Sequence, residues 1–433
     1  MSERWSINAD WAALEEGSPQ ECAGFATLGV RAYGTWLTAG HDRILQSVRE
    51  APYLSAYHLA EWLAWNWWRL RWEPRRASLE WELSHSMASI GGGYIWPNIH
   101  VVSDGESITL ISRATPERAR TPYRYINDGV SVIPAAEFES EVDLFVAAVL
   151  QRLQDRQVRE SNLRDIWRSV TEERQDPYLR RQRKLEALLG EDPDEMDIAL
   201  LKRFLDEIET AGEAALEEIA ANRLPGQPVP DIAWLLNIGR EQGVVTCAQD
   251  QVLFQGEVPR NLGAAWRIGA WAARSLRAQE DIAPDRPITD GQLAQMYGAP
   301  GNILETPRNP AGRLDLSFAL SETAQHSRVM LRSPWKNSRR FELARLLGDA
   351  LVYPTQDPMR PATRSDTYRQ KVQRAFAAEF LSPFEAVKEM LDGDYSMERQ
   401  QDVAHHFEVF GMTIGTHLVN NDLIDRSELD EPV

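Results

Sequence analysis

The hydrophobic and polar positions of this chain change period several times, and each change marks an expected element. Over residues 55–72 the apolar Leu59, Trp62, Leu63 and Leu70, with Trp65, Trp68 and Trp72 alongside, recur at helical spacing and predict one helix with a broad apolar face. The period then shortens to two. Residues 94–102 and 107–112 flank Ser103-Asp104-Gly105-Glu106, a turn-forming set, and predict a hairpin. The stretch 125–134 repeats that pattern about Asn127-Asp128-Gly129 and predicts a second one, followed by a helix over about 139–156.

Residues 157–224 carry helical patterns. Asp176-Pro177 and Asp192-Pro193 each suit a helix start, with Asp at the cap and Pro at the first helical position. The run 224–230 (LPGQPVP) places three prolines within six residues, which removes backbone donors and ends the helical pattern there. Beyond it the spacing predicts a mixed stretch over 232–255 and a helix over 261–279 with Trp266, Ile268 and Trp271. A short capped helix over 288–297, strand material over 314–331 and helices over 338–351 and 365–391 complete the pattern. The expected organisation is a Trp-rich α+β domain over 1–156, a helical middle segment with a Pro-rich linker over 157–229, and a mainly helical domain with a small β-sheet over 230–433. The first of these holds ten of the fifteen tryptophans.

Bulk properties narrow the classes. At 433 residues the chain is too long for one ordinary core. No apolar run approaches the eighteen residues of a membrane span, and the first residues lack a signal peptide's apolar core. Only Cys22 and Cys247 occur, far apart, so neither a disulfide framework nor a thiolate metal cluster is expected, and a cytoplasmic location follows as the expectation. The net charge of −18 disfavours nucleic acid as a partner. The basic residues of 174–184 are followed at once by an acidic run over 191–218, a pattern of salt-bridged, solvated helix faces.

Candidate chemistry concentrates in 338–354, SRRFELARLLGDALVYP. A zinc-peptidase helix needs two His four residues apart, so that both imidazoles leave one face, with a Glu beside the first as general base. Here Arg340-Phe341-x-Leu343-Ala344-x-x-Leu347-Gly348 resembles what the ImmA/IrrE family of metallo-endopeptidases places around that motif. Three further segments resemble the same domain in the family's order. They are the entry helix and turn (Ala273, Leu276, Arg277, Pro287, Ile288), the following helix (376–383, FAAEFLSP) and the terminal helices (403–420).

Residue by residue, the resemblance implies a scaffold without its metal. Arg345 stands at the first His ligand, and a guanidinium offers no lone pair. Leu346 stands at the Glu base, Asp349 at the second His and Gln370 at the third ligand. Glu379 is the nearest carboxylate to that last position. The expectation is therefore a pseudoenzyme with zinc absent and no catalytic residues. Arg345 and Asp349, four residues apart, would form an ion pair in the vacated space, and Arg345, Asp349, Glu379 and Arg340 would line a binding cleft. A protein partner or signal is the expected ligand, in the regulatory, stress or mobile-element and phage-defence setting that active members of the family suggest. Two alternatives stand beside it: an active metallo-endopeptidase using Asp349, Glu379 and a His from elsewhere, and a DNA-binding regulator using 288–299 as a helix-turn-helix.

Other motifs read as bland. His405 and His406 point about 100° apart on a helix, while His58–Glu61 and His85–Glu82 are chance spacings. Gly91-Gly92-Gly93 precedes a strand instead of opening a helix, which is wrong for a phosphate loop. The aromatic helix around Trp62–Trp72 is read as core filler.

Overall fold

The computed structural model describes residues 4–255, 257, 263–305, 314–323, 325–354 and 357–425. Residues 261 and 262, at the start of the helix expected over 261–279, lie outside them, as does Ala324 within the expected strand material. The fold is mixed α/β, 50% helical and 17% strand, with several small antiparallel sheets. Contacts divide the chain into two compact units, residues 1–202 with 223–229, and residues 203–222 with 230–433. The middle segment expected over 157–229 is thus shared between them.

In the first unit a sheet forms from Trp5–Trp11, Phe25–Ala32, Thr35–Trp36 and Tyr53–Ser55, and a second from Asn98–Ser103, Ser107–Arg113 and Gly129–Pro134. The hairpin about 103–106 is present, with Ser103 opposite Ile108 and the Asp104 carboxylate accepting from the Glu106 and Ser107 amides. The second expected hairpin is not. Tyr123–Tyr125 pairs with Gly40–Asp42, whereas Gly129–Pro134 pairs with Ser107–Arg113. The turn residues end one strand and begin another, but each strand finds a non-local neighbour. The helix predicted over 55–72 breaks into Ala56–Trp65 and Trp67–Trp72, since the Asn66 side chain turns back onto the Trp62 carbonyl. Trp62, Trp67 and Trp68 fill the core, where burial of such a ring contributes roughly 1.5–3 kcal/mol. Trp65 faces outward, 68% exposed, so the apolar face is narrower than the spacing implied.

Cap signals hold where the backbone permits. Asp176 accepts from the Tyr178 and Leu179 amides ahead of Pro177–Leu189. Asp192-Pro193 does not start a helix. It lies in a turn in which Asp194 takes a left-handed φ of 64° and gives its carboxylate to Arg183.

The second unit holds an antiparallel sheet in the order Val244–Cys247, His326–Met330, Ser317–Ser321, Met359–Ala362. Pro361 lies on the edge strand, where its missing N–H costs no ladder bond. Three helices carry the core: Ala265–Gln279, Lys336–Val352 and Tyr368–Leu381. Two glycines set their spacing. A Cβ on Gly348 would run into the Phe376 ring, and one on Gly269 would strike the Val372 carbonyl, so both helices lie close against Tyr368–Leu381. The helix expected over 365–391 stops at Leu381 and resumes as Phe384–Leu391, because Pro383 cannot continue it. No helix among the described residues is long and apolar enough to cross a membrane.

Candidate functional site

Close helix packing brings the sequence-selected positions together in a buried polar layer. Lys336–Val352 is buried over most of its length, including Arg339, Arg340, Arg345 and Asp349. One Nη of Arg345 donates to the Gln370 Oε1 at 2.5 Å, to the Thr363 carbonyl at 2.6 Å and to the Gln373 Oε1 at 3.3 Å. Gln370 also accepts from the Thr363 amide at 2.8 Å and donates to the Pro361 carbonyl at 3.1 Å. Arg345 and Gln370, expected to share a site, are in direct contact.

The Arg345–Asp349 ion pair does not form. Asp349, fully buried, receives a two-pronged bond from Arg369 at 2.7 Å on each oxygen and a further one from the Gln373 amide at 2.8 Å. The reason lies in helix geometry. Side chains lean toward the helix N-terminus, so a cation four residues before an anion is the poorer order for pairing along one helix. Arg369 and Gln373, one turn apart on the neighbouring helix, approach Asp349 directly. The notion that Arg345 and Asp349 neutralise each other is corrected accordingly.

The remaining positions separate. Leu346 is fully buried among Leu343, Leu347 and Phe376 in the apolar core. Glu379 is held by Arg274 at 2.6 Å and by the Phe384 amide. Arg369 and Glu379 lie ten residues apart on one helix, about 15 Å along its axis, so Asp349 and Glu379 serve different ends of it. Arg340 is fully buried and bonds the Ile288 carbonyl and Asp290, anchoring the first turn of Asp290–Tyr297. Lys336 holds the same carboxylate at 2.6 Å, so the start of Asp290–Tyr297, the helix of the alternative DNA-binding reading, is engaged in ion pairs within the unit. That short helix is capped as its sequence predicts, by Thr289 and Gln292. Among the described residues no group of three or more His, Cys, Asp or Glu side chains is placed to hold a metal ion.

Four members of the layer escaped the sequence reading: Arg369, Gln373, Thr363 and Glu218. A signal existed for Gln373. With Gln370 it begins the stripe that Ala377 and Phe380 continue, all of them buried, so two amides occupy apolar positions of a helix face. Glu218 belonged to an acidic run that read as solvated. It is buried instead, accepting from the Thr367 hydroxyl at 2.7 Å. Burial pushes its carboxyl up to about 7, while the Thr367 bond and the Arg369 charge oppose the shift and Asp349 adds to it. Burial likewise lowers the Arg345 guanidinium to about 9, with Arg374 next in effect. Glu218 and Arg345 are thus both driven toward their neutral forms.

Comparison of the chain with protein-family models, with curated proteins and with solved structures gives no match.

Proposed function

We propose that this chain is a catalytically inactive, ImmA/IrrE-like protein, with a zincin-like second unit that recognises a protein partner or signal where an ancestral peptidase bound substrate. The observation that carries this reading is the contact between Arg345 and Gln370, the positions of a first and a third metal ligand in the resemblance. A guanidinium and two amides fill that layer, with Asp349 held by Arg369. The guanidinium and the two amides themselves move no proton near neutral pH, and the layer offers a metal no imidazole or thiolate. Leu346, at the position of the general base, packs into the core and supplies no carboxylate. Buried, hydrogen-bonded polar layers of this kind fix one arrangement of helices, which suits a rigid recognition surface. Zinc is accordingly expected to be absent, and the setting is regulatory or defence-related.

The test is elemental analysis of the purified full chain after dialysis against zinc-containing buffer and then against metal-free buffer. The expected zinc content is far below one per chain. Retention of about one equivalent, at the stoichiometry a structural or catalytic site holds, would overturn the reading. The companion variant Arg345→His/Leu346→Glu/Asp349→His/Gln370→Glu restores the ligand set and is expected to gain zinc.

A further inference from the structure

A free strand edge offers unpaired N–H and C=O groups to any other strand, so folded sheets usually blunt their edges with charge, proline or a covering group. Most long edges of this molecule are blunted. On Trp5–Trp11 the Ile7 amide donates to the Glu141 carboxylate, and Asp10 brings a charge. Tyr123–Tyr125 is closed by Thr115, whose amide donates to the Tyr125 carbonyl while its hydroxyl accepts from the Tyr125 amide. On Val244–Cys247 the Cys247 amide donates to the Gly298 carbonyl. On Met359–Ala362 the Pro361 carbonyl accepts from Gln370 and Gln373.

Gly129–Pro134 differs. It is an edge strand of 6 residues without a charged side chain. Strand pairing fixes which way its main chain points. The Asp104 amide donates to the Ser107 carbonyl, closing the first rung of the hairpin. In an antiparallel ladder, hydrogen-bonded rungs alternate with open ones. Thr109 and Ile111 therefore turn their main-chain groups toward Asn98–Ser103, while Ile108, Leu110 and Ser112 turn theirs toward Ile133, Ser131 and Gly129. The Ala135 amide, on the Glu106 carbonyl, continues the same alternation. Val130 and Val132 are left facing outward. The Val132 carbonyl accepts from the Tyr33 hydroxyl at 2.7 Å. The Val132 amide and both main-chain groups of Val130 have no partner among the described residues. The two valine side chains are 62% and 46% exposed, and Tyr33 beside them is 52% exposed.

We infer that this edge pairs with the same strand of a second copy of the chain, antiparallel about a twofold axis at Ser131. The strand is complementary to itself in that register. Val130 meets Val132 of the second copy and Val132 meets its Val130, each as a hydrogen-bonded pair, and the valines of both copies gather on one face. A carbonyl oxygen has two lone pairs, so the Tyr33 bond can stay. Charge favours this contact over others between two copies. Each copy carries −18, so copies repel wherever acid faces acid. Here the strand is uncharged, and the acid next to it in sequence, Asp128, is paired with Arg113 at 3.0 Å. The inference lies in the first unit and does not rest on the peptidase-like reading of the second.

The test is sedimentation equilibrium of the full chain. The mass is expected to rise from 49.2 kDa toward twice that value as concentration increases to about 0.1 mM. Val130→Lys/Val132→Lys sets like charges opposite each other and is expected to weaken the dimer by at least about tenfold. Ser131→Cys, made together with Cys22→Ser and Cys247→Ser, gives a second reading that needs no lysine. In the proposed register position 131 faces itself in an open pair, with Cα atoms about 4.5 Å apart and within disulfide reach. Oxidation of that variant is expected to crosslink two chains at position 131. A mass of 49.2 kDa at every concentration, a dimer unchanged by the lysine variant, or a dimer without the crosslink at 131 overturns the inference.

Discussion

Each unit buries an arginine network, and the two are solved differently. In the first unit Glu73, almost fully buried, accepts from Arg69 at 2.7 Å and lies 3.6 Å from Arg76, with His85 stacked on Trp81 beside it. Arg69 reaches Asp192 as well, and Arg76 donates to main-chain carbonyls of Leu188 and Leu189. The cations there share carboxylates at contact distance. In the second unit Arg345 meets only amide and carbonyl oxygens, while Asp349, on the same helix, is bound to Arg369. Each network holds a buried arginine Nε–H without an acceptor, on Arg76 and on Arg345, so the difference between them lies in the counter-charge at contact distance.

The largest expected effect comes from breaking the ion-paired network. Glu73→Gln leaves Arg69 and Arg76 buried without their shared carboxylate, and loss of one partner from such a pair costs about 3–5 kcal/mol. Denaturant unfolding followed by tryptophan fluorescence reports on this unit, which holds eleven of the fifteen tryptophans. A shift below about 1 kcal/mol, the worth of an exposed pair, would remove the distinction between the two networks.

Next in size is an opposed response to pH. Burial lowers His85 from 6.5 to about 3, so the folded first unit excludes a proton that the unfolded chain binds. Its contribution is present above about 6.5 and is lost as pH falls toward 3. Glu218 runs the other way. Its carboxyl is raised from 4.5 to about 7, so the folded second unit keeps a proton that the unfolded chain releases. That contribution is full below about 4.5 and is lost as pH rises to 7. Each group changes the folded-to-unfolded ratio by at most about tenfold per pH unit within its window. Hydrogen exchange of Lys336–Val352, compared between wild type and Glu218→Gln across pH 4.5–7, should show the variant gaining relative stability as pH rises. The fluorescence transition of His85→Phe should lose acid sensitivity. Slopes of the same sign in both comparisons would defeat this contrast.

The smallest effect is expected at Arg345 itself. Replacing a buried cation that has no carboxylate contact by an apolar chain of similar length removes a desolvation penalty along with three hydrogen bonds. Arg345→Met should therefore leave stability within about 1 kcal/mol of wild type or raise it. A loss as large as that of Glu73→Gln, read by exchange in the same helix, would make Arg345 as structural as Arg69.

Much of the local structure was legible in the sequence. The Asp176 and Thr289 caps, the turn at 103–106 and the approximate extents of most helices follow from side chains bonding to backbone a few residues away. That Arg345 and Gln370 belong together was also legible, through a pattern of residues around them. The partner of Asp349, the exposure of Trp65, the burial of Glu218 and the separate pairing of the strands about 125 and 131 were not. Each is a choice among chemically similar alternatives far apart in the chain. Spacing along a helix tells which side chains share a face, and only the packing of Tyr368–Leu381 against Gly348 decided that Arg369, and not Arg345, would reach the carboxylate. The sequence by itself determined the local caps and turns and which positions of a helix share a face. The tertiary structure decided which polar groups would be satisfied by one another, because hydrogen bonds and ion pairs are settled over a few ångströms that no one-dimensional pattern resolves.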